Sequence, residues 1–186
     1  MKESFSQYIQ PIMLVGFMGA GKSTIGELIS RMLNLEFIDT DREIEKELGM
    51  PISDIFKTAG EKAFREIETT ILKKVQGKSG TIVACGGGII LNEENRKILK
   101  ENTFVIWLKC PLAICLERSD NGKRPLLNNP DVLSFAGKLL GEREPFYNEV
   151  ADMVIETNGA YTQSIAEDIV RRLKNSIRTI SASNQL

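Results

Sequence analysis

The feature that most constrains this chain lies near its start, where the apolar run IMLV passes into GFMGAGKS and straight on into a segment of helical periodicity. Gly16, Gly21, Lys22 and Ser23 fit GxxxxGK[ST] in the strand, loop, helix context that gives the pattern its meaning. Glycines let backbone N–H groups turn inward as an anion nest, and the following helix N-terminus adds partial positive charge. Nucleotide phosphates are thereby assigned to Gly19, Ala20, Gly21, Lys22, Ser23 and Thr24, with Lys22 reaching the β- and γ-phosphates and the Ser23 hydroxyl placed to ligate Mg²⁺. Such a loop needs a parallel α/β sheet behind it.

The rest of the chain supplies one. Short apolar runs at 12–15, 36–38, 81–84, 104–108 and 153–155 alternate with helical segments at 23–33, 41–48, 61–75, 93–100, 112–118, 133–148 and 164–177. The predicted fold is α/β, three-layered, with a five-stranded parallel sheet flanked by helices. At 186 residues, of which 42% are hydrophobic, the chain fits a single domain spanning 1–186. Three segments break the alternation. A helical insert extends over about 41–75, the stretch at 119–131 (SDNGKRPLLNNPD) reads as a lid, and the tail at 179–186 is expected to fray.

Charge and composition then narrow the chemistry. Lys plus Arg is 24 against 25 for Asp plus Glu, a net charge of -1 that gives no general attraction to nucleic acid or to an acidic membrane. The chain has no histidine, which excludes Ser-His-Asp and Cys-His catalysis and leaves proton transfer to carboxylates, Lys, Cys or Tyr. Cys85, Cys110 and Cys115 sit in or beside apolar runs and are expected to be buried, reduced thiols. No run approaches a membrane span and no targeting segment is evident, so a cytoplasmic location is expected.

What the nucleotide is used for depends on the other strand ends. No Asn-Lys-x-Asp string is present to read guanine, and the third strand runs into Cys85-Gly86-Gly87-Gly88 without a metal carboxylate. Ligands of open α/β sheets gather at the carboxyl ends of strands. Asp39 and Asp41 follow the second strand, where they can serve Mg²⁺ and an acceptor hydroxyl, or where Thr40 or Asp41 can simply cap the helix beginning REIEKEL. Arg65 can face a ligand or pair with Glu68 on a helix surface; Arg143 can do the same or pair with Glu142, Glu144 or Glu149. Gly86, Gly87 and Gly88 form a turn that also permits close ligand approach. Lys123-Arg124-Pro125 in a Gly/Asn-rich stretch suits a cation that moves onto phosphate.

In order and spacing, GFMGAGKST, FIDTDREIEKELGMPISDIF, GEKAFREIE, GGG, KRPLL and EREPFYNEVADMVIET resemble shikimate kinase. The resemblance spans nearly all of the chain from Ile12 to Thr157. It implies the compact fold shared with nucleoside monophosphate kinases and transfer of the ATP γ-phosphoryl group to the 3-hydroxyl of shikimate. Carried across residue by residue, it makes Asp41 the carboxylate at the acceptor hydroxyl and Arg65 and Arg143 the arginines of the acid site. It makes Gly86, Gly87 and Gly88 the backbone that approaches the substrate. Arg124 becomes the lid arginine over the phosphates, Ser23 and Asp39 the Mg²⁺ ligand and its water-mediated partner, and Arg118 the arginine near adenine. The catalytic set implied is Lys22, Asp41 and Arg124, in a monomer that binds neither nucleic acid nor membrane. One departure stands out: the segment after the last strand, Thr157-Asn158-Gly159-Ala160-Tyr161, lacks the Arg and Pro common in the family. A kinase of another hydroxylated acid, such as gluconate, and a nucleotide-dependent binding module are the competing readings.

Overall fold

The computed structural model describes residues 10–119 and 132–183. Five strands, β1 (Ile12–Val15), β2 (Glu36–Asp39), β3 (Thr81–Ala84), β4 (Phe104–Lys109) and β5 (Met153–Glu156), form one parallel sheet in the order β2-β3-β1-β4-β5. Seven helices connect and flank them: α1 (Lys22–Leu33), α2 (Thr40–Leu48), α3 (Ile52–Gln76), α4 (Glu93–Lys100), α5 (Leu112–Ser119), α6 (Val132–Val150) and α7 (Thr162–Ser183).

Side-chain alternation along the strands builds a core on each face of the sheet. Ile12 and Leu14 of β1 join Ile106 and Leu108 of β4 beneath α1 and α7, with Ile25, Ile29, Ile169 and Leu173. Met13 and Val15 point the other way, joining Val105 and Trp107, Leu72 of α3, Leu99 of α4 and Tyr147 of α6. The central strands β1 and β3 are buried throughout, while of the edge strands β2 exposes Glu36 and β5 exposes Val154 and Glu156. A small third cluster, Ile44, Ile55, Phe64 and Ile71, holds α2 against α3.

Inside α3, Gly60 has φ 79 and ψ 172, so the element is two helices, 52–59 and 61–76, meeting at a kink. The second of these begins where the sequence places the 61–75 helix. Two expectations are corrected. Helix α7 runs on to Ser183, past the 164–177 read from the periodicity: once a helix is nucleated, each added residue gains a hydrogen bond at the cost of fixing one residue. Residues 184–186, and 120–131 of the expected lid with Arg124, lie outside the described residues. The helix after β2 is capped by Asp39 and not by Thr40 or Asp41: its Oδ1 accepts from the Asp41 N–H at 3.1 Å and the Arg42 N–H at 3.3 Å. Helix entry thus comes one residue earlier than the sequence suggested.

Candidate active site

The carboxyl ends of β1, β2 and β3 lie side by side, with Leu14 aligned to Ala84 and Ala84 to Asp39. Whatever follows these residues therefore starts from one end of the sheet. After β1 the loop reaches α1 through Gly21 in left-handed backbone (φ 92), and α1 begins at Lys22. The Lys22 ammonium donates to the carbonyls of Gly16 at 2.9 Å and Phe17 at 3.0 Å, which holds the cation over the loop. Gly19, Ala20, Gly21, Ser23 and Thr24 fall on that loop and the first turn of α1, as expected. Arg118, at the exposed end of α5, brings its guanidinium to the same place: a Cβ at Gly21 would lie 3.7 Å from Nη1.

Ser23 Oγ donates to Asp39 Oδ2 at 2.5 Å. A hydroxyl and a carboxylate so close, beside a phosphate loop, are hard oxygen donors of the kind Mg²⁺ takes. No cluster of three or more His, Cys, Asp or Glu residues suited to a metal occurs among the described residues.

Capping by Asp39 leaves the Asp41 side chain to face the turn after β3. A Cβ built on Gly86 would fall 2.7 Å from Asp41 Oδ1 and 2.7 Å from Glu68 Oε1, so two carboxylates converge on the space a side chain there would take. Thr40 Oγ1 accepts from the Gly86 N–H at 2.9 Å and ties the turn to the start of α2. At Gly88 the corresponding Cβ would overlap the Arg65 guanidinium, with Nη2 at 2.7 Å. Arg65 reaches this position from α3 while donating to Glu68 Oε2 at 2.8 Å and Glu61 Oε1 at 3.0 Å. Arg65 therefore pairs with Glu68, as its spacing allowed, but that partner is no surface acid: Glu68 is 1% exposed.

The alternative for Arg143 fails. It is 2% exposed, donates from Nη1 to the Gly87 carbonyl at 3.3 Å and lies 5.9 Å from the centroid of the Phe17 ring. Glu144 pairs with Lys109 and Glu149 with Arg96. Tyr147, one helical turn on, donates to the same Gly87 oxygen at 2.6 Å.

Burial and charge shape these groups together. Burial pushes the Glu68 carboxyl up to about 7, against the pull of Arg65 and Arg143, with Asp41 adding to the rise. Burial lowers the Arg143 guanidinium from its ordinary value, and neighbouring Arg65 lowers it further. At Arg65 burial acts to lower the value, but Glu68 and Glu61 outweigh it and hold it above its ordinary range. Glu68 Oε1 and Arg143 Nε are buried without a hydrogen-bond partner. A buried donor and acceptor left open at one glycine turn are groups that a polar ligand can satisfy.

Tyr147, Glu68 and Thr40 were missed as site groups. The signal for Tyr147 was present, since Arg143 and Tyr147 are four apart in EREPFY and share a helix face. Glu68 was visible only as a partner in spacing, because burial is not a local property of the sequence. After β5, Thr157 N–H donates to Lys109 O at 2.8 Å, and a Cβ at Gly159 would lie 3.8 Å from Ile114 Cδ1, one turn before Arg118 on α5. The segment without Arg or Pro thus packs beside the Arg118 helix. Cys85, Cys110 and Cys115 are free and buried, as expected; burial pushes the Cys115 thiol up to about 12.

Comparison with known proteins gives a consistent result. A family model described as "Shikimate kinase" matches residues 18–174. The chain is 45% identical over 160 residues to a shikimate kinase of Caldicellulosiruptor bescii, covering 86% of this chain and 92% of the relative. It is 42% identical over 164 residues to a shikimate kinase of Halorhodospira halophila, covering 88% and 93%. Among solved structures, a shikimate kinase from Acinetobacter baumannii in complex with shikimate superposes with a TM-score of 0.88 at 36% identity, covering 91% of this chain and 96% of that one.

Proposed function

The chain belongs to the shikimate kinase family and is an ATP-dependent phosphotransferase with an alcohol acceptor, and we propose that its own residues carry out transfer of the γ-phosphoryl group to the 3-hydroxyl of shikimate as follows. The observation that carries the reading is the meeting of two guanidinium groups, Arg65 and Arg143, and one carboxylate, Asp41, around the 86–88 turn, beside the phosphate loop. Two cations suit one carboxylate ligand, and a carboxylate with open backbone suits vicinal hydroxyls.

Phosphoryl transfer proceeds through a loose transition state, so positioning and charge neutralisation supply most of the acceleration. Lys22 holds the β- and γ-phosphates, and Arg124, outside the described residues, is the second cation that the resemblance assigns to them. Mg²⁺, when bound, neutralises phosphate charge; Ser23 and Asp39 would hold it, the latter through water. Arg65 and Arg143 clamp the acid of shikimate, and the backbone of Gly86, Gly87 and Gly88 lies against its ring substituents. Asp41 orients the attacking hydroxyl and accepts its proton, a task no histidine in this chain can take. Arg118, whose Nη1 would lie 3.7 Å from a Cβ at Gly21, is the cation assigned to the base of the nucleotide. The gluconate reading fits less well, because curated relatives at 39–45% identity carry the name shikimate kinase. The proposal extends to a monomer working in the cytoplasm without nucleic acid or membrane: the net charge is -1, and no helix among the described residues is long and apolar enough to cross a membrane.

Asp41→Asn tests the proton step. The amide still hydrogen-bonds the hydroxyl but cannot take its proton, so kcat should fall by roughly 10² to 10⁴ with shikimate still bound. Wild-type kcat and KM in this variant would remove Asp41 from the chemistry.

A further inference from the structure

Tyr147 lies one turn beyond Arg143 on α6, is 0% exposed, and stacks on Trp107 with ring centroids 5.8 Å apart and planes at 23°. Burial raises its phenol above the ordinary range, so the hydroxyl stays protonated and can only donate to a carbonyl. The acceptor is Gly87 O, which also takes the longer bond from Arg143. We propose that Tyr147 is a positioning residue of the acid site: its buried hydroxyl sets the orientation of the 86–88 turn and of the Arg143 guanidinium through the one carbonyl they share.

The argument for the turn is geometric. In a trans peptide the C=O and the next N–H point in opposite directions, and the described backbone has no cis bonds. A Gly87 carbonyl pinned to α6 therefore turns the Gly88 N–H away from α6, and Gly88 is the residue that the Arg65 guanidinium abuts. The argument for Arg143 is one of competition. With Tyr147 satisfying the buried oxygen at 2.6 Å, Arg143 needs only a loose 3.3 Å contact there and keeps the rest of its fork for a ligand acid. Without the hydroxyl, Arg143 becomes the one side chain left holding that oxygen, and the cost of leaving a buried carbonyl poorly satisfied draws the cation inward. Trp107 keeps the phenol ring in the orientation that makes the 2.6 Å bond.

This inference rests on the shikimate kinase reading, and wild-type turnover of shikimate, measured first in the same assay, separates a failure of one from a failure of the other. Tyr147→Phe keeps the ring and its stack and deletes only the hydroxyl. The expected result is a rise of roughly three- to tenfold in the shikimate KM, the factor set by one neutral hydrogen bond, with the ATP KM unchanged. In a double-mutant cycle with Arg143→Lys, the two effects on shikimate KM should be non-additive, since both act through Gly87 O. Trp107→Phe, which retains the hydroxyl but loosens its platform, should raise the shikimate KM less than Tyr147→Phe does. An unchanged shikimate KM in Tyr147→Phe, an equal rise in both KM values, or strict additivity with Arg143→Lys would each overturn the assignment and leave Tyr147 as a packing residue.

Discussion

A carboxyl held between two arginines and a second carboxylate, and nearly removed from solvent, does not titrate like a surface acid. Glu68 is raised from 4.5 to about 7, first by burial. Between those values the folded chain holds a proton that the unfolded chain has released. The stabilisation linked to that proton is full below the ordinary carboxyl pKa and is lost as pH rises through about 7. Glu68→Gln has no such proton to lose. The stability of the wild type relative to Glu68→Gln should therefore decline as pH rises across this window, by on the order of 3 kcal/mol if the whole shift is expressed. Thermal or urea unfolding of both proteins at a series of pH values measures it. A difference that stays constant with pH would mean that Glu68 is ionised throughout, and that Arg65 and Arg143 outweigh its burial. The same residue shows where reading from sequence stops. The Arg65–Glu68 spacing was plain in AFREIE, but whether the pair lies on a surface or against a turn whose Gly87 is 56 residues before Arg143 depends on the tertiary fold.

At the scale of elements, the 86–88 turn is the junction of the site. Thr40 at the start of α2 accepts from its first N–H, Arg65 of α3 abuts its last residue, and Arg143 and Tyr147 of α6 hold its central carbonyl. Three helices, α2, α3 and α6, are thus set by one glycine run. Gly88→Ala probes this directly. The three atoms nearest the added methyl all belong to the far end of the flexible Arg65 side chain, so the fold should survive with only a small loss of stability. Arg65 must move to make room, and the shikimate KM should rise by roughly tenfold, the scale of one charge-assisted bond, while the ATP KM holds. Steady-state kinetics with each substrate varied decides it; loss of ATP binding on the same scale would mean that the turn supports the phosphate loop as well. The glycine run and the strand before it were legible in TIVACGGG, as were all five strands and seven helices, because apolar period and turn residues are local signals. The cap at Asp39, the 3₁₀ turn Ile89–Leu91 and the run of α7 to Ser183 were not, since each is decided by contacts or propagation beyond a short window.

For the whole molecule, sheet order explains why residues so dispersed can act together. The order β2-β3-β1-β4-β5 places the strands leading to Asp39, Gly86 and the phosphate loop side by side, with the helices bearing Arg65 and Arg143 closing over their ends. Nucleotide phosphates and acceptor acid are then neighbours by construction, which a sequence motif alone could assert only by resemblance. The central claim is that this shared neighbourhood accepts shikimate. The most direct measurement is ADP release from ATP and Mg²⁺ by the purified chain, with shikimate, quinate, gluconate and nucleoside monophosphates each offered as acceptor. Strong stimulation by shikimate, well above that by any other acceptor, is the predicted result; no stimulation by shikimate, or a larger response to gluconate or to a nucleoside monophosphate, would contradict it.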